Sequence, residues 1–256
     1  MHNFVARILE DHPLALLKEK GVAVAPKSEH WDTLKYVADL CHLFSFIVLI
    51  YNMKKKNNCL GVSYRTQELY LVIFLLRYCD IFFMVHNTIW NLTFKLTFVG
   101  LTVYIIYLIR FARPICVSYE CLMDKFPHRV LIIPLSLIIG LVLPDFSVWS
   151  HFHPYFHKVY NMTVVMESLA IVPQLALLRK IREIEIVTGA YIFSLGIYRG
   201  IYLLSWIIRI FEHQDYFSHI YIKMVFGLLQ FALYGDFIVN YIRCVKDHKP
   251  YVDLPV

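Results

Sequence analysis

The chain has 256 residues, 59% hydrophobic and only 17% charged, with a mean hydropathy of +0.56. Soluble chains average about half apolar and about a quarter charged, so both departures exclude a soluble domain, and with it disorder, collagen and coiled coil. The balance of 25 Lys+Arg against 19 Asp+Glu, a net +6, would suggest nucleic acid on a soluble protein, but on a membrane protein the placement of the charges decides their meaning.

Residues 1–34 form a luminal N-terminal extension of mixed charge, with Asp11, Pro13, Lys18, Glu19 and Lys20 and no apolar run of signal-peptide length. Phe4–Lys20 reads either as a short amphipathic helix on the membrane surface or as a solvated tail. Beyond it, windows of about 20 apolar residues predict seven transmembrane helices, at 36–53, 68–84, 94–110, 130–147, 159–178, 187–209 and 219–242. The connections are short and none is low in complexity. Residues 35–243 are therefore one all-α transmembrane domain, followed by a cytosolic tail at 244–256. The six cysteines form no CxxC pair, so neither a zinc site nor a disulfide framework is expected, and no cofactor is implied.

Orientation follows from the basic residues. Lys54, Lys55, Lys56 and Arg65 follow the first span, and Arg110, Arg113, Lys125 and Arg129 the third. Arg179, Lys180 and Arg182 follow the fifth, and Arg243, Lys246 and Lys249 the seventh. The alternate loops 85–93, 145–157 and 210–218 hold no Lys or Arg. The positive-inside rule places the C-terminus in the cytosol and, with seven spans, the N-terminus on the opposite side. Six of the 12 histidines (His86, His151, His153, His157, His213, His219) fall at the non-cytosolic face, where they could read a luminal pH.

Ionisable residues at membrane depth are costly and mark functional paths by default. Lys35, Asp39 and His42 share one face of the first span, Arg77 and Asp80 stand three apart in the second, and Glu167 precedes the helix-breaking Pro173-Gln174 in the fifth. The sixth carries Tyr198, Arg199, Tyr202, Trp206 and Arg209, and the seventh Lys223 and Asp236. Such a cationic, aromatic-lined cavity suits an anionic ligand, because the Arg fork binds carboxylates through two parallel hydrogen bonds. Asp80 and Glu167 then balance the surplus charge or receive a cationic part of the ligand, as a peptide end with carboxylates and one basic group would require. Catalytic signatures such as HExxH, GxSxG or a phosphate-binding Gly-rich loop are absent, so an enzyme is not expected. An intramembrane acid–base set of His42, Asp39 and Glu167 ranks below ligand binding.

The strings YVADLCHL, CLGVSYRTQEL, RYCDIF, MESLAIVPQL, GIYRGIYLLSWIIR, LLQFALYGDF and the closing LPV, in order from about residue 31 to the end, resemble the KDEL receptors, the ER lumen protein retaining receptors. The resemblance implies a seven-helix bundle akin to the SWEET and PQ-loop transporters, with two three-helix repeats joined by a linker helix and a site between them. It implies capture of escaped ER luminal proteins through their C-terminal tetrapeptide in the acidic Golgi, and release at near-neutral pH in the ER. The implied partners are those luminal proteins, the retrograde coat complex and the lipid bilayer, with no nucleic acid.

By the same resemblance, Arg77 holds the terminal carboxylate of the ligand, Arg209 its acidic side chains, and Asp80 its basic first residue. Trp206, Tyr198 and Tyr202 form the wall. His42 is the proton sensor, with Glu167, Tyr198 and Arg199 around it, and its protonation strengthens attraction to Glu167. Glu183 and Glu185 match an acidic patch that masks the coat-binding Lys246 and Lys249. Three positions depart from the family: Lys35 replaces an arginine, losing the bidentate fork, while His157 and Tyr160 replace a glutamate and a tryptophan that receive the first residue of the signal. A changed preference at that residue, or weaker binding, is the expected consequence. The rival reading is a small-solute or proton-coupled transporter on the same scaffold.

Overall fold

The computed structural model describes residues 29–79, 89–144, 154–212 and 217–253. The stretch Phe4–Lys20, Asp80, and His86, His151, His153 and His213 lie outside the described residues. Among the described residues, eight α-helices run in chain order: α1 Glu29–Lys56, α2 Tyr64–Arg77, α3 Ile89–Arg110, α4 His128–Val142, α5 Pro154–Leu169, α6 Val172–Ile181, α7 Ile186–Glu212 and α8 Phe217–Lys246. A short 3₁₀ helix at Ile115–Ser118 and two three-residue strands, β1 Glu183–Glu185 and β2 Tyr251–Asp253, complete the order of the described residues.

Five stretches are long and apolar enough to cross a membrane: Thr33–Lys56, Asn91–Arg110, Lys158–Ile181, Ile186–Phe211 and Ile220–Lys246. The spans expected at 68–84 and 130–147 correspond to the shorter helices α2 and α4, which end at Arg77 and Val142; residues 80–84 and 145–147 of those spans lie outside the described residues. Helices α5 and α6 are two halves of one span. They part at Ala170–Ile171 because Pro173, in the first turn of α6, has no N–H to continue the ladder.

The exterior is apolar where a soluble bundle would be polar. Along α1 the exposed large apolar residues include Tyr36, Leu40, Phe44, Ile47 and Tyr51, a stripe at helical spacing, whereas His42, Ser45 and Asn52 are buried. Other buried polar side chains include Gln67, Thr102, Glu167, Gln174, Arg199 and Gln230, while α4 exposes Leu131, Leu135, Ile138 and Val142. An apolar exterior, with polar side chains set into the interior among apolar ones, is what lipid as solvent selects, since interhelical hydrogen bonds help hold such helices together. The chain is an all-α membrane protein.

The helices pack as two triplets. In the first, α3 packs against both α1 and α2; in the second, α8 packs against both α5 and α7. The triplets meet chiefly through α1 on α7, with α2 on α5 as a second seam, and α4 lies against α5. Polar pairs fix the α1–α7 register: Asp39 accepts from the Tyr202 hydroxyl, His42 stacks on Tyr198, and Asn52 Nδ2 donates to Thr188 Oγ1 at 2.8 Å. Ascending positions on α1 thus meet descending positions on α7, so the two run antiparallel. At the α4–α5 seam, a Cβ on Gly140 would lie 2.6 Å from the Met162 backbone, so only glycine permits this approach.

The end of the bundle opposite the Arg77 terminus of α2 is tied by hydrogen bonds. Gln174, placed by the break at Pro173, accepts from Ser63 N at 2.8 Å and donates to Gly61 O at 2.6 Å. Gly61 sits at φ +78°, a left-handed turn that a side chain would strain. Buried Asp124 accepts from Ser63 Oγ at 3.0 Å and from the Tyr119 hydroxyl at 2.8 Å. Strand β2 returns the tail to this end, antiparallel to β1, with Ile184 opposite Val252 and both buried. This pairing was not expected from the sequence.

Candidate functional site

Helix α5 carries Tyr160, Thr163 and Glu167 at spacings of three and four, one stripe along its buried face. Three neighbouring helices deliver cations to it. Arg77 ends α2, where the negative end of the helix dipole favours a positive charge. Its Nη1 donates to Glu167 Oε2 at 2.5 Å, its Nε and Nη2 both reach Thr163 Oγ1 at 3.3 Å, and its guanidinium lies 5.6 Å from the Tyr160 ring centre. Arg199 of α7 donates to the other oxygen, Glu167 Oε1. Lys223 of α8 sits over the same Tyr160 ring, 5.1 Å from its centre.

Two guanidiniums therefore flank one carboxylate, and a third cation, Lys223, lies further along the same helix at Tyr160, among the described residues of this cluster. Glu167 already holds both guanidiniums, leaving a surplus of two positive charges in a partly dry setting where such charge is costly without a partner. An arrangement of this kind prepares a place for anionic groups. Arginine also presents donors to a ligand without losing its charge.

The pH-sensing candidates lie one layer deeper. His42 stacks on Tyr198 with ring centres 4.1 Å apart and planes 4° from parallel. Phe98 at 4.7 Å, Phe46 at 5.0 Å and Phe74 at 6.1 Å close the rest of the box. His42 Nε2, the Tyr198 hydroxyl and Arg199 Nε are all buried and make no hydrogen bond. The expected attraction between His42 and Glu167 is not a direct contact here. Arg199 and Tyr198 stand as the intermediaries, the Arg199 guanidinium 4.6 Å from the Tyr198 ring centre.

Of the other residues singled out, Tyr202 is tied to Asp39 and lies 6.0 Å, centre to centre, from Trp206. Trp206 in turn packs on Gly227 of α8, where an added Cβ would approach its ring to 2.5 Å. Lys35 and Arg209 are partly buried on α1 and α7. Asp80 and the side chain of His157 lie outside what is described. Asp39, His42 and Glu167 each take a different partner, so the acid–base set is not assembled. Glu185 accepts from Lys56 while its backbone pairs with Tyr251; Glu183, Lys246 and Lys249 are exposed. Thr163 and the phenylalanine box escaped the sequence reading. Thr163 was legible only through its spacing from Glu167, and the phenylalanines are indistinguishable in sequence from lipid-facing ones.

Comparison with known proteins bears on what this cluster is for. A profile of the ER lumen protein retaining receptors matches residues 58–209. An ER lumen protein-retaining receptor of Plasmodium falciparum is 37% identical over 206 residues, covering 80% of this chain and 90% of that protein. One from Petunia hybrida is 35% identical over 224 residues, 88% and 99% of the two chains, and one from Drosophila melanogaster is 32% identical over 221 residues, 85% and 97%. With matches of this extent running across the helices that carry Arg77, Glu167 and Arg199, the chain belongs to the ER lumen protein retaining receptor family.

Proposed function

We propose that this chain is a retrieval receptor that binds the C-terminal KDEL- or HDEL-like tetrapeptide of ER luminal proteins in the acidic Golgi and releases it in the near-neutral ER. The observation that carries the reading is the Arg77–Glu167–Arg199 knot, whose surplus positive charge suits a peptide end with two or more carboxylates. The triplet packing, with α3 between α1 and α2 and α8 between α5 and α7, supports a SWEET- or PQ-loop-like pair of repeats with α4 as linker. The retention-receptor description of the relatives favours this over a transporter. The N-terminus is luminal and the C-terminus cytosolic, where Lys246 and Lys249 offer charge to a retrograde coat.

The knot supplies a mechanism. A ligand carboxylate that takes the Arg77 fork releases one of the two guanidinium partners of Glu167. The cluster then carries added negative charge, with Arg199 and Tyr198 between it and His42. Added negative charge favours a proton on His42, so by linkage a protonated His42 favours the ligand, and binding strengthens as pH falls. The side chains packed around His42 are Phe46 on its own helix, Phe74 on α2, Phe98 on α3 and Tyr198 on α7; Arg199 lies over the Tyr198 ring, and Asp39 stands one turn away on α1.

Pull-down on immobilised tetrapeptides at about pH 5.5 and about pH 7.4, which bracket the histidine range, tests this. Binding at the lower pH that disappears when the peptide is amidated is expected; equal capture of free and amidated ends overturns it. His42→Ala is expected to flatten the pH profile, and a profile as steep as that of the unaltered protein removes His42 from the mechanism.

A further inference from the structure

A cavity of about 220 Å³ opens at the tail end of the bundle, between residues 123–127 of the loop after α3 and one face of α6. Pro173, Ala176 and Leu177 give it an apolar floor, and the exposed Lys125 and Lys180 stand at its rim. Lys180 Nζ donates to Met123 O at 2.7 Å, which carries its stem across from α6 to the loop and leaves two of its three donors for a ligand. Asp124, the carboxylate of the lining, does not cancel these charges. Its Oδ1 accepts from Ser63 Oγ at 3.0 Å, and its Oδ2 from the Tyr119 hydroxyl at 2.8 Å and from Arg65 N at 3.3 Å. Arg65 Nε also donates to Asp124 O at 3.2 Å, so a cation already stands beside that residue. Residues 173–180 are the last two turns of the apolar stretch Lys158–Ile181, which puts the cavity where hydrocarbon gives way to headgroups. Its volume is below the roughly 300–1,000 Å³ of pockets that enclose a drug-sized molecule, and suits a headgroup whose tails stay in the bilayer.

We propose that this cavity binds the phosphate-bearing headgroup of an anionic phospholipid in the leaflet at the tail end of the bundle. Basic pockets beside transmembrane helices take such headgroups. Phosphate oxygens accept from Lys125 and Lys180, while the apolar floor packs against the glycerol and the first carbons of the tails. A soluble acidic peptide meets the same two lysines, but the floor and the depth favour a molecule anchored in lipid. The bound headgroup bridges the loop to α6, and so fastens the α3–α4 connection to the half-span that carries Gln174. The inference does not depend on the tetrapeptide reading; it needs only that α6 reaches the membrane surface.

The test uses the full chain in neutral detergent and short-chain phosphatidylinositol 4-phosphate or phosphatidylcholine of equal acyl length, with the thermal unfolding midpoint read against lipid concentration. Saturable stabilisation by the phosphoinositide, and none by phosphatidylcholine, is expected. Lys125→Gln is expected to raise the half-saturating concentration about fivefold, the scale of one basic residue at an anionic membrane surface, and to leave the lipid-free midpoint unchanged. Lys55→Gln, which removes an exposed lysine at the end of α1, is expected to leave the half-saturating concentration as it was. An equal loss in both variants means diffuse attraction to a basic face and overturns the site, as does no loss with Lys125→Gln or equal stabilisation by phosphatidylcholine. Saturation by inorganic phosphate or by a soluble acidic peptide at the same concentrations overturns the assignment to a lipid. Tetrapeptide capture at about pH 5.5 by the same preparations reports on the retrieval reading separately.

Discussion

Glu167 is the side chain on which the rest of the site depends. Its two oxygens go to guanidiniums from different helix triplets, Arg77 on α2 and Arg199 on α7, so one carboxylate fastens the seam through which a ligand must act. The side chain is only 9% exposed. Removing one partner of a buried ion pair costs about 3–5 kcal/mol, because the remaining charges stay buried and unmatched. Glu167→Gln is accordingly expected to lower the thermal unfolding midpoint in detergent by several degrees, and Glu167→Gln with Arg199→Met to recover part of that loss. A midpoint unchanged by Glu167→Gln would mean that the guanidiniums are neutralised by something else. The loop clasp behaves differently. Partial burial and the hydrogen bond to Asp124 hold the Tyr119 hydroxyl above the usual phenol range. Its contribution to stability is therefore present at every pH below about 10 and lost only as pH rises through the folded value. The clasp does not titrate between Golgi and ER pH, so the pH response proposed above does not come from it.

Among the elements, the close seams are made by glycine and the breaks by proline, and these two signals differ in how well a sequence reveals them. Gly140 lets α4 touch the α5 backbone at Met162, whereas Gly100 on α3 has no atom within 4 Å of an added Cβ. Gly140→Val is expected to destabilise the fold by about 1–3 kcal/mol through forced separation of α4 from α5. Gly100→Ala is expected to be neutral or to stabilise by up to about 1 kcal/mol through helix propensity. Equal unfolding midpoints for the two variants would contradict the α4–α5 contact. The helix break at Pro173-Gln174 was legible because proline announces it, although the two hydrogen bonds Gln174 then makes were not. The end of α2 at Arg77 was not legible either. Past it the residues to Val85 are apolar except for Asp80, and hydropathy alone carries the span onward. Strands β1 and β2 are three residues each, too short for period-two alternation to register, and their pairing joins positions about 70 residues apart. Of the site, sequence supplied the residue types and the family resemblance their roles. The pairings of Tyr202 with Asp39 and of His42 with Tyr198 depend on the α1–α7 register, which no single-chain periodicity contains.

At the scale of the molecule, α7 connects the two ends. It begins at Ile186, directly after β1, and carries Tyr198, Arg199 and Tyr202 into the cluster, a continuous helix of 27 residues, about 40 Å long. Strand β1 holds the tail through β2, with Val252 fully buried and Ile186 N donating to Pro250 O at 3.2 Å. A ligand that draws Arg77 away from Glu167 changes the load on Arg199, and a rigid helix carries any resulting shift to β1. Docking of the tail and occupation of the site are then linked, and the linkage is reciprocal. Amide exchange at Ile184 and Val252 reads it. In the unaltered protein, a saturating free-carboxylate tetrapeptide at about pH 5.5 is expected to speed exchange at these amides, while the same peptide amidated leaves it slow. Val252→Asp places a charge where no water reaches, so it is expected to give fast exchange with or without peptide and to make the tail accessible to carboxypeptidase. Reciprocity then requires Val252→Asp to bind the tetrapeptide more tightly than the unaltered protein, because the ligand no longer works against the docked strand. If peptide leaves exchange at β1 unchanged while binding normally, α7 does not transmit, and docking of the basic tail is independent of cargo.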